Sequence, residues 1–366
     1  MIPASEPVQR PAGARVMVVD PWGQFSDQPR SAFVDLLRPE DLVIANDAAT
    51  IPASLSGVHL STGQPVEVRL AGLLSLDSDV REFAAVVFGA GDYRVATENR
   101  PLPPRLAPGD RLELGSLSAK VVRLLDHPRL ALLRFDGSVD AMWAGIAHHG
   151  RPIQYSHVAV PLAMWHVWTP IAGMPAAFEA PSAGFALSWE IVARMRTNGV
   201  RFTTITHAAG LSSTGDPELD LKLPFDEPYS IPQVTVDAIQ NARYSGGRVV
   251  AVGTTVVRAL EHAGHTGEIR AGEGIATQRI GVDSCLRVVD AILSGTHERG
   301  TSHYELLRAF VQDTVLNRLT EKLNSCGYRT HEFGDSVLIW RTAARLVKME
   351  NVNQMPISKM ERAIFM

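Results

Sequence analysis

Arg248-Val249-Val250-Ala251-Val252-Gly253-Thr254-Thr255-Val256-Val257-Arg258-Ala259-Leu260-Glu261 is an apolar run that breaks at a glycine and restarts with helical spacing. Val249 to Val252 are β-branched-rich and show no polar alternation, which predicts a strand buried on both faces of a sheet. Gly253 allows a sharp turn, and Thr254 or Thr255 is expected to cap the helix that follows. Val256, Val257, Leu260 and Ala263 recur at helical spacing, while Arg258 and Glu261 fall elsewhere around the helix. Gly253, Thr254, Thr255 and Arg258 thus place free N–H groups, two hydroxyls and a cation at a strand end. Open α/β sheets collect ligands there, anionic and nucleotide groups above all. The same pattern also serves as a plain capped helix with no ligand.

Composition sets bounds. The chain has 366 residues, 45% hydrophobic and 20% charged, the make-up of a soluble globular protein long enough for two domains. A formal net charge of -4 gives no global basic field, so a tRNA ligand would need a local patch. Cys285 and Cys326 have neither metal-ligand nor disulfide spacing. Pro3, Glu6, Pro7 and Pro11 occupy the place of a signal peptide's apolar core, and no apolar segment is long enough to span a bilayer. The expectation is a cytoplasmic protein of unknown oligomeric state, with no membrane association.

Residues 1–14 are rich in Pro and small residues and read as a loose leader. Val16–Asp20 and Asp41–Asp47 read as strands flanking a short helix over Ser31–Leu37. From Leu55 to Phe135 the texture changes to short runs, Pro65–Leu70, Glu82–Phe88, Arg111–Leu114, Ala119–Leu125 and Leu130–Phe135, separated by Gly, Pro and Asp turns. This predicts a small antiparallel barrel over residues 55–137, inserted into an α/β domain formed by residues 15–54 and 138–340. In the second half a helix capped by Ser188, a strand over Arg201–His207, a helix capped by Thr235, a long helix over Tyr304–Leu323 and a closing strand over Ser336–Trp340 alternate. Strand and helix in alternation predict a largely parallel sheet in a three-layer α/β/α domain. The tail beyond Trp340 carries Arg341, Arg345, Lys348, Lys359 and Arg362 against Glu350 and Glu361, a mildly basic extension.

Six stretches in order resemble one family, the S-adenosylmethionine:tRNA ribosyltransferase-isomerases of queuosine biosynthesis. They are Asp41–Ala53, Ala180-Pro181-Ser182-Ala183-Gly184, His207-Ala208-Ala209-Gly210, Ala251–Glu261, Val289-Asp290-Ala291 through Ser294-Gly295-Thr296-His297, and Phe333-Gly334-Asp335. The resemblance implies an α/β domain interrupted by a β-barrel. It also implies S-adenosylmethionine used as a ribosyl donor: the amine of a 7-aminomethyl-7-deazaguanine in tRNA attacks the ribose, adenine and methionine leave, and an epoxycyclopentane forms, with no metal. Ser182, Gly184, Gly210 and Thr296 join Gly253, Thr254, Thr255 and Arg258 as donor-binding candidates. His207 and His297 are candidate proton carriers, since an unperturbed imidazole titrates near neutrality. Asp335 is a candidate partner of the sulfonium or the ribose hydroxyls, and Arg151, Tyr155 and Asn46 are candidate acceptor contacts.

The chain also departs from the family. Ala49 and Ser54 stand where arginines are usual, Ala186 stands for a histidine and Gly295 for an asparagine, and the segment before Tyr155 differs from the usual proline-rich loop. Lost arginines are lost phosphate contacts. Two other readings therefore accompany the tRNA enzyme: an S-adenosylmethionine-using transferase acting on a free small molecule such as a 7-deazapurine, and a non-catalytic nucleoside or RNA-binding protein.

Overall fold

The computed structural model describes residues 1–345 apart from 93, 96–98, 213, 215 and 344; Lys348, Glu350, Lys359, Glu361 and Arg362 of the basic tail lie outside the described residues. Val249–Val252 is a fully buried strand, paired in parallel with Leu42–Asn46 on one side and Ala291–Gly295 on the other. Its side chains alternate between two cores, as a strand's period of two requires. Val249 and Ala251 pack with Val236, Ile239, Leu260 and Leu319 from helices Gln233–Tyr244, Thr254–Ala263 and Asp313–Ser325. Val250 and Val252 pack with Phe33, Val34 and Met195 from the 3-10 turn Arg30–Leu36 and helix Trp189–Thr197. Helices cover both faces, which gives the expected three layers.

Among the described residues the main sheet has nine strands, in the order Gly272–Ala276, Glu227–Ile231, Arg201–His207, Leu42–Asn46, Val249–Val252, Ala291–Gly295, Ser336–Trp340, Arg15–Val19 and Phe25–Pro29. The expected largely parallel sheet is corrected to a mixed one. The four strands from Arg201–His207 to Ala291–Gly295 run parallel, while Glu227–Ile231, Gly272–Ala276, Ser336–Trp340 and Phe25–Pro29 each join a neighbour antiparallel. The sequence gives little sign of the two edge strands, because an edge needs no apolar run: Gly-Glu-Gly-Ile-Ala and Phe-Ser-Asp-Gln-Pro are mostly exposed. The four parallel strands deliver their C-terminal ends, Asn46, His207, Val252 and Gly295, to one edge of the sheet.

Strands Ser54–His59, Gln64–Leu73, Glu82–Phe88, Arg111–Leu114, Leu117–Leu124 and Leu130–Phe135 close into an antiparallel barrel. Its first strand is missing from the sequence reading. A Cβ on Gly57 would stand 1.9 Å from the Glu113 carbonyl oxygen, so this strand gives up a side chain to let the Arg111–Leu114 strand approach.

Three local expectations are corrected. Residues 1–14 are docked rather than loose: Ile2–Pro3 pairs in parallel with Arg329–Thr330, Ala4 is buried, and the Gln9 amide donates to the Trp168 carbonyl at 2.7 Å. The long helix over Tyr304–Leu323 is two, Ser302–Leu307 and Asp313–Ser325, bridged by Arg308, which forks onto Glu305 and Asp313. Thr235 lies inside helix Gln233–Tyr244, and its hydroxyl donates to the Thr204 carbonyl at 2.7 Å instead of capping. No helix of the described residues is long and apolar enough to cross a membrane.

Candidate active site

At the sheet edge where the parallel strands end lies a cavity of roughly 700 Å³. Nine of the predicted residues line it: Tyr155, Ser182, Gly210, Gly253, Thr254, Thr255, Arg258, Thr296 and His297. The helix start is built differently from expectation. Gly253, with φ of +97°, is itself the cap residue, and Thr254 already belongs to the first helical turn. A left-handed φ at the cap excludes threonine there, so neither hydroxyl caps the helix. Both threonines line the cavity, where the first-turn N–H groups have no acceptor within the helix.

Arg258, one turn into that helix, reaches the buried Glu227 carboxylate and donates to the Ala276 carbonyl at 3.0 Å. Glu227 also accepts the Gly210 amide at 2.7 Å, and its other oxygen lies 3.5 Å from His207 Nε2. A Cβ on Gly210 would meet the Ala71 carbonyl oxygen at 2.5 Å, which explains a glycine at that turn. Burial outweighs the nearby guanidinium and amide and leaves the Glu227 carboxyl above its ordinary pKa. His207 is fully buried just behind the cavity wall; burial, then the Arg258 charge, lower its pKa to about 3, so the ring is neutral. Neither ring nitrogen has a hydrogen-bond partner among the described residues. The geometry makes it a companion of the Glu227–Arg258 pair rather than a lining group.

His297 does line the cavity, with Nε2 3.0 Å from the Ser294 hydroxyl and its ring stacked on His303 at 4.6 Å. Burial, then His303 and His331, hold its pKa well below the usual imidazole value. Glu179, adjoining the Ala180–Gly184 stretch, is a lining group that sequence reasoning missed. One carboxylate oxygen accepts the Ser212 amide at 3.2 Å and hydroxyl at 2.7 Å, and burial in the recess pushes its pKa up to about 8. Tyr155 is held as a neutral phenol by burial and by Glu332 and Glu179, and stacks on His157. Glu298, Glu305 and Glu332 also line the cavity, against Arg258 and Arg279. None of these glutamates falls in a matched stretch, and Glu227 lies on an antiparallel strand without an apolar signature, so no local pattern marked them.

Five candidates stand away from the cavity lining. Besides His207, Asn46 is buried and ties three elements together: it donates to the His207 carbonyl at 3.0 Å, accepts the His207 and Ala48 amides and lies 3.5 Å from the Thr255 hydroxyl. Gly184 is a packing glycine, where a Cβ would meet Thr169 at 2.9 Å. Asp335 is committed elsewhere: its oxygens accept the Arg15 amide at 2.9 Å and the Arg329 amide at 2.8 Å, so it fastens loops instead of facing a sulfonium. Arg151 pairs backbone to backbone with Ser54 and is exposed. Of the family departures, Ala49 and Ala186 are buried and Ser54 donates to Glu67 in the barrel, so none supplies a cation.

The profile of a family described as "Queuosine biosynthesis protein" matches residues 2–339. The "S-adenosylmethionine:tRNA ribosyltransferase-isomerase" of Sorangium cellulosum is 32% identical over 363 residues, covering 92% of this chain and 94% of the relative. The proteins of the same name from Thermosynechococcus vestitus and Thermus thermophilus are 30% and 32% identical, over 93% and 92% of this chain and 93% and 95% of theirs.

Proposed function

Because the chain belongs to the queuosine biosynthesis protein family, we propose that it is an S-adenosylmethionine:tRNA ribosyltransferase-isomerase, transferring and isomerising the ribosyl group of S-adenosylmethionine onto a 7-aminomethyl-7-deazaguanine of tRNA in the cytoplasm. The observation that carries the reading is the charge of the cavity. Its wall holds Glu179, Glu227, Glu298, Glu305 and Glu332 beside a helix start. The donor is a sulfonium with an ammonium and a carboxylate; Glu298 and Glu305 suit its cations and the N–H groups of Thr254 and Thr255 its carboxylate or ribose. Losing adenine requires a proton at the leaving base, and Glu179, protonated up to about pH 8, supplies it. Removing the proton beside the sulfonium requires an unprotonated base to accept it, and His297, held unprotonated by burial, lines the cavity. The Arg258–Glu227–His207 set fixes the Gly210 turn and the wall behind the donor.

The test is turnover. With S-adenosylmethionine and tRNA bearing the aminomethyl base, adenine and methionine should appear together, and the digested tRNA should contain the epoxycyclopentane nucleoside. Equal release without tRNA, or with a free 7-deazapurine alone, would overturn the tRNA assignment. Because Ala49 and Ser54 replace two cations, tRNA affinity should depend on salt with a slope lower by about 0.7 to 0.9 per missing contact than in a relative carrying both arginines.

A further inference from the structure

His157, His331 and Glu332 bring one ligand atom each to within 4.8 Å of the others. We propose that these three residues form a binding site for a divalent transition-metal ion, of the Zn²⁺ class, at the rim of the cavity. Two imidazoles and one carboxylate make a borderline-soft donor set of the kind that holds such an ion while leaving coordination positions open. His331 and Glu332 line the cavity, so an open position would face it.

The site is built rather than accidental in three respects. His157 Nε2 and Glu332 Oε2 lie 3.3 Å apart, and these two buried atoms have no hydrogen bond to any other described group. His331 is held at φ of +68°, a left-handed conformation that a non-glycine residue adopts at a cost. Its loop is pinned by the Gly334 amide on the His331 carbonyl at 2.9 Å, and a Cβ on Gly334 would stand 2.4 Å from the Arg329 carbonyl oxygen. The loop of His157 packs on the same ground, since Val158 and Phe333 share one apolar cluster; the His157 and His331 rings lie stacked at 4.3 Å, and one must turn for both in-plane lone pairs to reach a shared ion. Bonds of about 2.0–2.2 Å to zinc set ligand atoms roughly 3–4 Å apart. Separations of up to 4.8 Å therefore close on binding as one imidazole turns out of the stack, a side-chain adjustment on two packed loops.

The site shares the cavity wall with the ribosyl-transfer reading, but its readout needs no substrate, so the failure of either is distinguishable from that of the other. The full chain, stripped with a chelator, is titrated with Zn²⁺ alone by calorimetry, and its Co²⁺ form is examined by visible absorption. One equivalent should bind. His157→Ala, His331→Ala and Glu332→Gln should each weaken it at least tenfold and remove the Co²⁺ band, while His265→Ala, at an exposed histidine elsewhere, leaves both unchanged. Glu332→Gln keeps the shape of the loop and decides the question if either histidine variant fails to fold. Absence of stoichiometric binding, or binding that all three variants preserve, would overturn the site and leave His157 and Glu332 a simple ion pair.

Discussion

The barrel and the cavity each bury a glutamate against arginine, with opposite results. In the barrel, Glu67 accepts Arg69 at 2.7 Å and Arg100 at 2.6 Å, and Arg69, Arg100 and Arg129 gather over the Phe88 ring. Two guanidinium groups overcome desolvation and hold the Glu67 carboxyl below its ordinary pKa. In the cavity, Glu227 has Arg258 and one amide, Glu179 has a serine, and burial wins in both. A buried carboxylate that meets two cations is held in its charged form, whereas burial pushes one with a single cation or none toward its protonated form.

Arg258→Ala is the substitution of largest effect. It leaves Glu227 buried without its cation and should cost about 3–5 kcal/mol of stability, and by loosening the Gly210 turn and the wall it should lower turnover by roughly two orders of magnitude. Denaturant unfolding and adenine release measure the two losses. Glu67→Ala, which strands Arg69 and Arg100, should cost a similar ~3–5 kcal/mol but leave the turnover of the folded fraction within about twofold. If it abolished turnover as Arg258→Ala does, the division between fixture and site would fail.

Acid titration sharpens the contrast. The His207 pKa lies at about 3 in the fold against 6.5 ordinarily, so its contribution to stability is complete above pH 6.5 and is lost as pH falls toward 3. Glu67 starts to lose its contribution only below its ordinary value of 4.5. Between pH 6.5 and 4.5 His207, His297 and His303 lower stability as pH falls, against the raised carboxyls of Glu179 and Glu227, which act with the opposite sign. His207→Asn should reduce the slope of unfolding free energy there by up to about 1.4 kcal/mol per pH unit, and an unchanged slope would show that His207 does not titrate with unfolding. The smallest effect belongs to Gly253→Ala. The Ala183 side chain at 3.4 Å leaves room for the methyl group, so the expected loss is the cost of an alanine at this glycine-only backbone conformation, about 1–3 kcal/mol, measured by thermal melting.

The strands most legible in the sequence were those whose surroundings are symmetric. Val249–Val252 is apolar because both faces are covered, and Glu82–Phe88 and Leu130–Phe135 are bounded by turns, so their limits agree with the structure. Edge strands and the docked leader escaped because pairing on one side asks little of side chains. Half of the site was legible for a similar reason: Gly253, Thr254, Thr255 and Arg258 form one continuous strand-to-helix turn. Periodicity does not record which polar group is already satisfied. Asp335 looks as available in sequence as Glu179, yet Asp335 is consumed by Arg15, 320 residues away, and Glu179 keeps one oxygen for the cavity.

The most direct test is the pH dependence of turnover, measured in the wild type and in Glu179→Gln. If Glu179 delivers the proton to the departing adenine, wild-type turnover should fall as pH rises through about 8, where its carboxyl ionises. Glu179→Gln should lose that limb and run at a flat rate roughly two to four orders of magnitude lower. Near-normal turnover in Glu179→Gln with the limb intact would contradict the assignment of proton transfer to this carboxyl.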